Sequence, residues 1–142
     1  MDPDNLRALD LLSCLVDVQL ALQVNMAKKA QDLGLTLPQS LVSQDLARYP
    51  GSTLQDICQR LRLPKSSVSR LVDELVQKGH ATRDVPPDNR RVVALSLNDN
   101  LKVKCMSSAT ETFFPGAGGR LDPDEAVQIK ATLVRIQELL QE

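Results

Sequence analysis

The feature that most restricts this 142-residue chain is the order of signals between Thr53 and Leu97. Thr53-Leu54-Gln55-Asp56 has the form of a capping box, a hydroxyl followed three residues later by a carboxylate. It opens a short helix with Leu54, Ile57, Cys58 and Leu61 inward, which Leu63-Pro64 interrupts. A second helix, Lys65 to Lys78, places Val68, Leu71, Val72 and Leu75 on one face, and Gly79 is positioned to end it. The pattern then changes period. Ala81 to Val85 reads as a short strand, Pro86-Pro87-Asp88-Asn89 as a turn, and Val92, Val93, Leu95 and Leu97 as a second strand. Helix, short turn, helix and hairpin in that order predict a mainly α fold with one small β-hairpin wing.

The flanks are helical. Asp2-Pro3-Asp4 has the form of a helix start, and Leu6, Leu9, Leu12 and Val16 recur at helical spacing in a segment running to about Asp32. The device returns at Asp122-Pro123-Asp124-Glu125, where Glu125 would complete a capping box ahead of Ile129, Leu133, Ile136 and Leu140. Thr36 to Ala47 reads as a further helix stopped by Tyr49-Pro50-Gly51. Asn98 can cap another, with Leu101, Cys105, Ala109 and Phe113 on one face. Long apolar stripes at both ends need a partner, and a second copy of the chain is the expected one.

Composition narrows the function classes. Hydrophobic residues make up 42% and charged residues 25%, which fits a folded globular chain. Aromatic residues are only 2%, which argues against sheet-rich folds and against single-strand binding by base stacking. The longest uncharged run, Gly34 to Gln44, has 11 residues, so neither a signal core nor a membrane span is expected and the reading is cytoplasmic. Cys14, Cys58 and Cys105 lack disulfide or zinc spacing, and His80 is the one histidine, so no metal or cofactor is expected. Nucleophile–base pairs, phosphate-cradling glycine loops and paired carboxylates are not in evidence, which argues against an enzyme.

Net charge is −1, but its distribution is uneven. Residues 54–91 carry +3 and the remainder −4, a basic middle between acidic ends. A second helix entering the major groove with a hairpin reaching an adjacent minor groove is a geometry suited to double-stranded DNA. On that reading Lys65, Ser66, Ser67, Ser69 and Arg70 form the outward face near the helix start. Small hydroxyls permit close approach, and Arg70 can reach a guanine edge with two donors. At the hairpin, Asp88 can orient Arg90, and Arg91 adds charge at the tip.

Leu35 to Asp99, about 65 of 142 residues, resembles the winged helix-turn-helix of the MarR family of bacterial transcription regulators. The carrying pieces are LTLPQSLVSQDLARYPGSTLQDICQRL, LPKSSVSRLVDELVQKGHATR and PPDNRRVVALSLND, and the wing signature Asp-x-Arg stands as Asp88-Asn89-Arg90. Pro64 departs from the pattern, since members often have a Ser cap there. The LPKSSVSRL string is also similar to the DNA-binding domain of IclR-type regulators, which carry a large C-terminal effector domain not found here.

The resemblance implies one MarR-like domain, with residues 35–97 as the DNA-binding lobe and residues 1–34 and 98–142 as the helical dimerisation region. It further implies a homodimer on a palindromic operator, acting as a repressor and released by a small-molecule effector. Ser66, Ser67, Ser69 and Arg70 match DNA-facing positions of the family's recognition helix, and Arg90 matches its wing-tip arginine. No effector-binding residue is marked. Two alternatives remain at this point: a redox-sensing regulator using Cys14, and a winged-helix protein-interaction module that does not bind DNA. Cys14 has Leu11, Leu12, Leu15 and Val16 around it, so a buried packing thiol is expected.

Overall fold

A computed structural model describes residues 1–88, 91–107 and 109–142. The chain divides into two compact units, Met1–Ser107 and Ser108–Glu142. In the first unit, α1 (Pro3–Asp32) starts at Asp2, whose carboxylate accepts from the Asp4 amide at 3.2 Å. Gly34 at φ +71 lets the chain turn immediately into α2 (Leu37–Arg48). Thr36 and Gln39 form a reciprocal capping box there, and Thr53 and Asp56 form a second one at α3 (Leu54–Leu61).

Arg62 ends α3 in the left-handed region at φ 55, ψ 43, so α4 (Lys65–Gln77) begins after only three intervening residues. Its other end is a Schellman motif. Gly79 at φ +76 donates to the Val76 carbonyl and His80 to the Leu75 carbonyl, at 3.0 and 2.9 Å. His80 therefore acts through its backbone, and its carbonyl also accepts from the Asn98 amide.

The inward positions of α4 are all buried as expected: Val68, Leu71, Val72 and Leu75. They meet Val42 and Leu46 of α2 and Ile57 of α3, with Leu95, Leu97, Leu101 and Cys105 closing the core. Removing this apolar area from water is the main term holding α4 against its neighbours. Cys58 is half-buried at the rim and Cys105 fully buried, so both pack as expected.

The hairpin pairs β1 (Ala81–Asp84) with β2 (Ala94–Leu97), antiparallel in the register Ala81↔Leu97 to Asp84↔Ala94. An isolated bridge from Ser52 to Leu95 adds a third chain segment to this sheet. Both strands are shorter than the sequence pattern predicts. Val85, Val92 and Val93 lie outside the ladder, because Pro86 and Pro87 supply no amide donors to continue it.

The helix after the hairpin also differs from expectation. α5 (Asp99–Met106), capped by Asn98 on the Leu101 amide at 2.7 Å, stops at Ser107, which is extended at φ −81, ψ 151. Its end is tied to α1. Lys29 is buried, and its ammonium donates to the Lys104 carbonyl at 2.8 Å and the Ser107 carbonyl at 3.0 Å. Last-turn carbonyls of a helix lack intrahelical partners, and here Lys29 and the Ser107 hydroxyl, the latter at 3.3 Å, donate to that of Lys104. Leu101 and Cys105 are buried, whereas Ala109 is exposed and Phe113 half-buried, so the four do not form one buried face.

In the second unit, α6 (Ala109–Phe113) leads through a short 3₁₀ turn, Pro115–Ala117, to α7 (Pro123–Leu140). Asp122 stands at the cap of α7 but makes no side-chain cap bond, so the expected box with Glu125 does not close. Where the working boxes begin with a neutral threonine, this one would bring Asp122 and Glu125 together beside Asp124. Like charges oppose it.

Candidate nucleic-acid interface

With the inward face of α4 locked in the core, its other face is set by geometry. Lys65, Ser66 and Arg70 are exposed, and Ser67 and Ser69 are half-buried beside Val68. Pro64 is extended at φ −62, ψ 149 and provides no side-chain cap. The first-turn amides of α4 therefore keep their donors for an outside acceptor, and the positive end of the helix dipole lies among Lys65, Ser66 and Ser67. Such a terminus suits a phosphate.

Arg70 makes no ion pair with a described residue. Glu74, four residues on, instead accepts from the Gln39 amide at 2.8 Å, and Lys78 donates to the Gln39 carbonyl oxygen at 3.1 Å. Gln39 thus serves two elements, since the same oxygen accepts from the Thr36 amide at the cap of α2. This buried amide keeps Glu74 away from Arg70 and leaves the guanidinium available.

A cleft of about 720 Å³ runs between the starts of α3 and α4 and the hairpin. Its lining includes Leu54, Lys65, Ser69, Arg83, Arg91 and Val93. Lys65 and Ser69 from the helix thus share one surface with Arg91 from the hairpin. Ser66, Ser67 and Arg70 lie on the same helix without lining the cleft. Asp88 is exposed, and Arg90 lies outside the described residues.

Sequence reasoning missed Arg83, which lines the cleft and pairs with Asp73 of α4. The available signal was its place two residues beyond Ala81, on the strand face that turns toward the helices. It also missed that Arg60 is structural. Arg60 Nε and Nη2 clasp both oxygens of Asp45 at 2.8–3.1 Å, Nη2 donates to Ser52 Oγ at 2.6 Å, and the guanidinium lies 4.4 Å from the Tyr49 ring centre. The bond to Asp45 raises the Arg60 pKa above its ordinary value. That charge ties α2, α3 and the Ser52 bridge together and is not presented to a ligand.

Cys14 corrects an expectation: it is exposed rather than buried. Its helical neighbours at i−4 and i+3 are Asp10 and Asp17. Burial raises the pKa of Cys105, against a smaller opposing effect of Lys29. Among the described residues no group of three His, Cys, Asp or Glu is arranged to hold a metal.

Apolar surface is left over on both terminal helices. Leu6, Leu9, Leu12, Val16 and Leu20 form one exposed stripe on α1, and Leu11, Val18 and Leu22 a second on another side. Although no long uncharged run is present, α1 is long and apolar enough to cross a membrane, a test that the core helix of a soluble protein and an N-terminal signal sequence also pass. On α7, Val127, Ile129, Leu133 and Leu140 are exposed.

Comparison with known proteins gives a consistent result. A family model described as MarR family matches residues 33–91. The HTH-type transcriptional repressor MdtR of Bacillus subtilis is 30% identical over 95 residues, a match covering 62% of this chain and 61% of that protein. Among solved structures, the transcriptional regulator SlyA is similar with a TM-score of 0.71 at 20% identity, over 92% of this chain and 94% of that one. The transcriptional repressor CouR, bound to a 23-mer DNA duplex, is similar with a TM-score of 0.67 at 21% identity, over 87% and 89%. Those likenesses extend the shared fold beyond the matched segment to the flanking helices.

Proposed function

We propose that this chain, whose residues 33–91 match the MarR family model, is a member of that family and a DNA-binding transcription regulator that acts as a homodimer on a palindromic operator. The observation that carries the reading is the uncapped start of α4, with Lys65, Ser66 and Arg70 exposed and a cleft joining it to hairpin residues Arg83 and Arg91. In this reading α4 enters the major groove. Its first-turn amides, Lys65 and the serines hold phosphates, and Arg70 reads a guanine. The hairpin, with Asp88, Arg90 and Arg91, follows the adjacent backbone and minor groove.

The exposed stripes of α1 and α7 support the second half of the proposal. Apolar rows at spacing three and four are the pattern of a helix seam, and here each row stands open within its own unit. Residues 1–34 and 98–142 act as the dimerisation region, which spaces two copies of the 35–97 lobe on successive turns of DNA. Repression follows from occupancy of the operator, and a small-molecule effector that prefers a mis-spaced dimer releases it. The site of action is the cytoplasm. A protein-interaction module would share the fold but has no use for a basic groove beside an open helix start.

The test is selection of the purified protein on a random duplex library at two salt concentrations, with Arg90→Ala as control. A palindrome with half-sites about 10–10.5 base pairs apart is expected, with affinity falling steeply as salt rises. Sequence-blind binding at both salt concentrations would overturn the operator reading.

A further inference from the structure

Asp73 is out of character with the rest of α4. Ser66, Ser69 or Arg70, Asp73 and Gln77 succeed one another at spacing three or four on the outward side of the helix. A bare carboxylate in that row would repel the phosphates that its neighbours are placed to attract. In the structure it is not bare, because Arg83 of β1 reaches across and donates to its Oδ1. Both side chains are about half exposed, at 42% for Arg83 and 54% for Asp73.

Arg83 has a specific reason to be there. Side chains alternate along a strand, so Arg83 shares the face of Ala81, which is 3% exposed and packed in the core. Its register partner on β2 is Leu95, 2% exposed and bridged to Ser52. Arg83 is therefore the residue at which the inner face of the hairpin leaves the core, one rung before the last pair, Asp84↔Ala94. A long cation at that point spans the gap to α4 where apolar packing has run out.

We propose that Arg83 and Asp73 form a latch that fixes the distance between the hairpin and α4, making Arg83 a positioning residue for sequence discrimination rather than a phosphate contact. This rests on the DNA-binding reading above and goes beyond it. A helix in one groove and a hairpin in the next both engage only if their separation matches the duplex. Non-specific binding, which needs only charge, does not require that match.

The experiment compares wild type, Asp73→Asn and the charge swap Asp73→Arg/Arg83→Asp on the selected operator and on a scrambled duplex. Asp73→Asn adds a net positive charge, so scrambled-duplex affinity holds or rises while the specific-to-scrambled ratio falls roughly fivefold, and the swap restores the ratio. An unchanged ratio in Asp73→Asn overturns the latch. So does a swap that leaves operator affinity low, which marks Arg83 as a phosphate contact.

Hydrogen exchange of the Ala81–Asp84 and Ala94–Leu97 amides in the free protein gives a readout that needs no DNA. Asp73→Asn should speed that exchange about two- to fivefold, the range for a part-exposed ion pair, and unchanged protection overturns the latch. Wild-type protein that binds no duplex at all would overturn the functional reading, while exchange would still decide the latch.

Discussion

The inward face of α4 and the stripes of α1 and α7 are built from the same residues at the same spacing, yet they end in opposite states. Val68, Leu71, Val72 and Leu75 are buried, while Leu6, Leu9, Leu12 and Leu133 stand exposed. The first set finds α2, α3 and the hairpin within the same unit, so its burial is decided inside one chain. The stripes of α1 and α7 lack such cover within their own units. Periodicity reports that a face is to be covered and is silent on whether the cover is supplied in cis or in trans.

Substitutions in the two regions should therefore differ in kind. Leu46→Ala or Ile57→Ala, each fully buried, should lower unfolding free energy by about 2–5 kcal/mol at any protein concentration, measured by urea titration. Leu12→Ala, in contrast, should change stability chiefly through the concentration dependence of the transition, with sedimentation showing more monomer. An equal, concentration-independent loss at both sites would erase the distinction and remove the support for a dimer.

The next effect tests a polar tie inside the first region. Asp45 is 7% exposed and holds Arg60 with two hydrogen bonds to Nε and one to Nη2. Asp45→Ala strands a partly buried guanidinium and should cost about 3 kcal/mol by the same titration. A loss below about 1 kcal/mol would mean that the pair behaves as a surface bridge.

Arg70 should instead leave stability unchanged, since it makes no ion pair with a described residue. Arg70→Ala should relax preference at one position of each half-site, costing roughly 1–3 kcal/mol on the preferred sequence and little on others. Uniform weakening across all operator variants would reassign it to a phosphate.

The smallest expected effect is in acid. Hydrogen bonds from Thr53, backbone first and then side chain, lower the Asp56 pKa below its ordinary 3.8 despite a small opposing effect of desolvation. A depressed carboxyl contributes stability that is present above its unfolded pKa and lost as pH falls through the folded value. Asp56→Asn should thus flatten the stability profile below about pH 4, and its difference from wild type should shrink once the carboxyl is protonated. Profiles that stay parallel down to pH 2 would show that the cap carries no charge-dependent term.

Most of the lobe was legible because its determinants are local. The two threonine capping boxes, the inward row of α4 and the stop at Gly79 each depend on residues within about one helical turn. The candidate interface was half legible for the same reason. Lys65, Ser66 and Arg70 follow from the inward row by exclusion, whereas nothing near Arg83 in the sequence announces Asp73 ten residues earlier. Cys14 departs from expectation because apolar neighbours in sequence need not be apolar neighbours in space.

By itself, then, the amino-acid sequence determined which segments are helix or hairpin, where the outward row of α4 lies and which faces need cover. Those choices are governed by backbone dihedrals, caps and period, all satisfied between near neighbours. Only the tertiary structure decided the contacts between distant residues. Lys29 ties down the end of α5 from 75 residues away, Gln39 draws Glu74 off Arg70 from 35, and Arg83 neutralises the acid on α4. A buried or half-buried polar group must find some partner, but which partner depends on where the packed core brings the backbone.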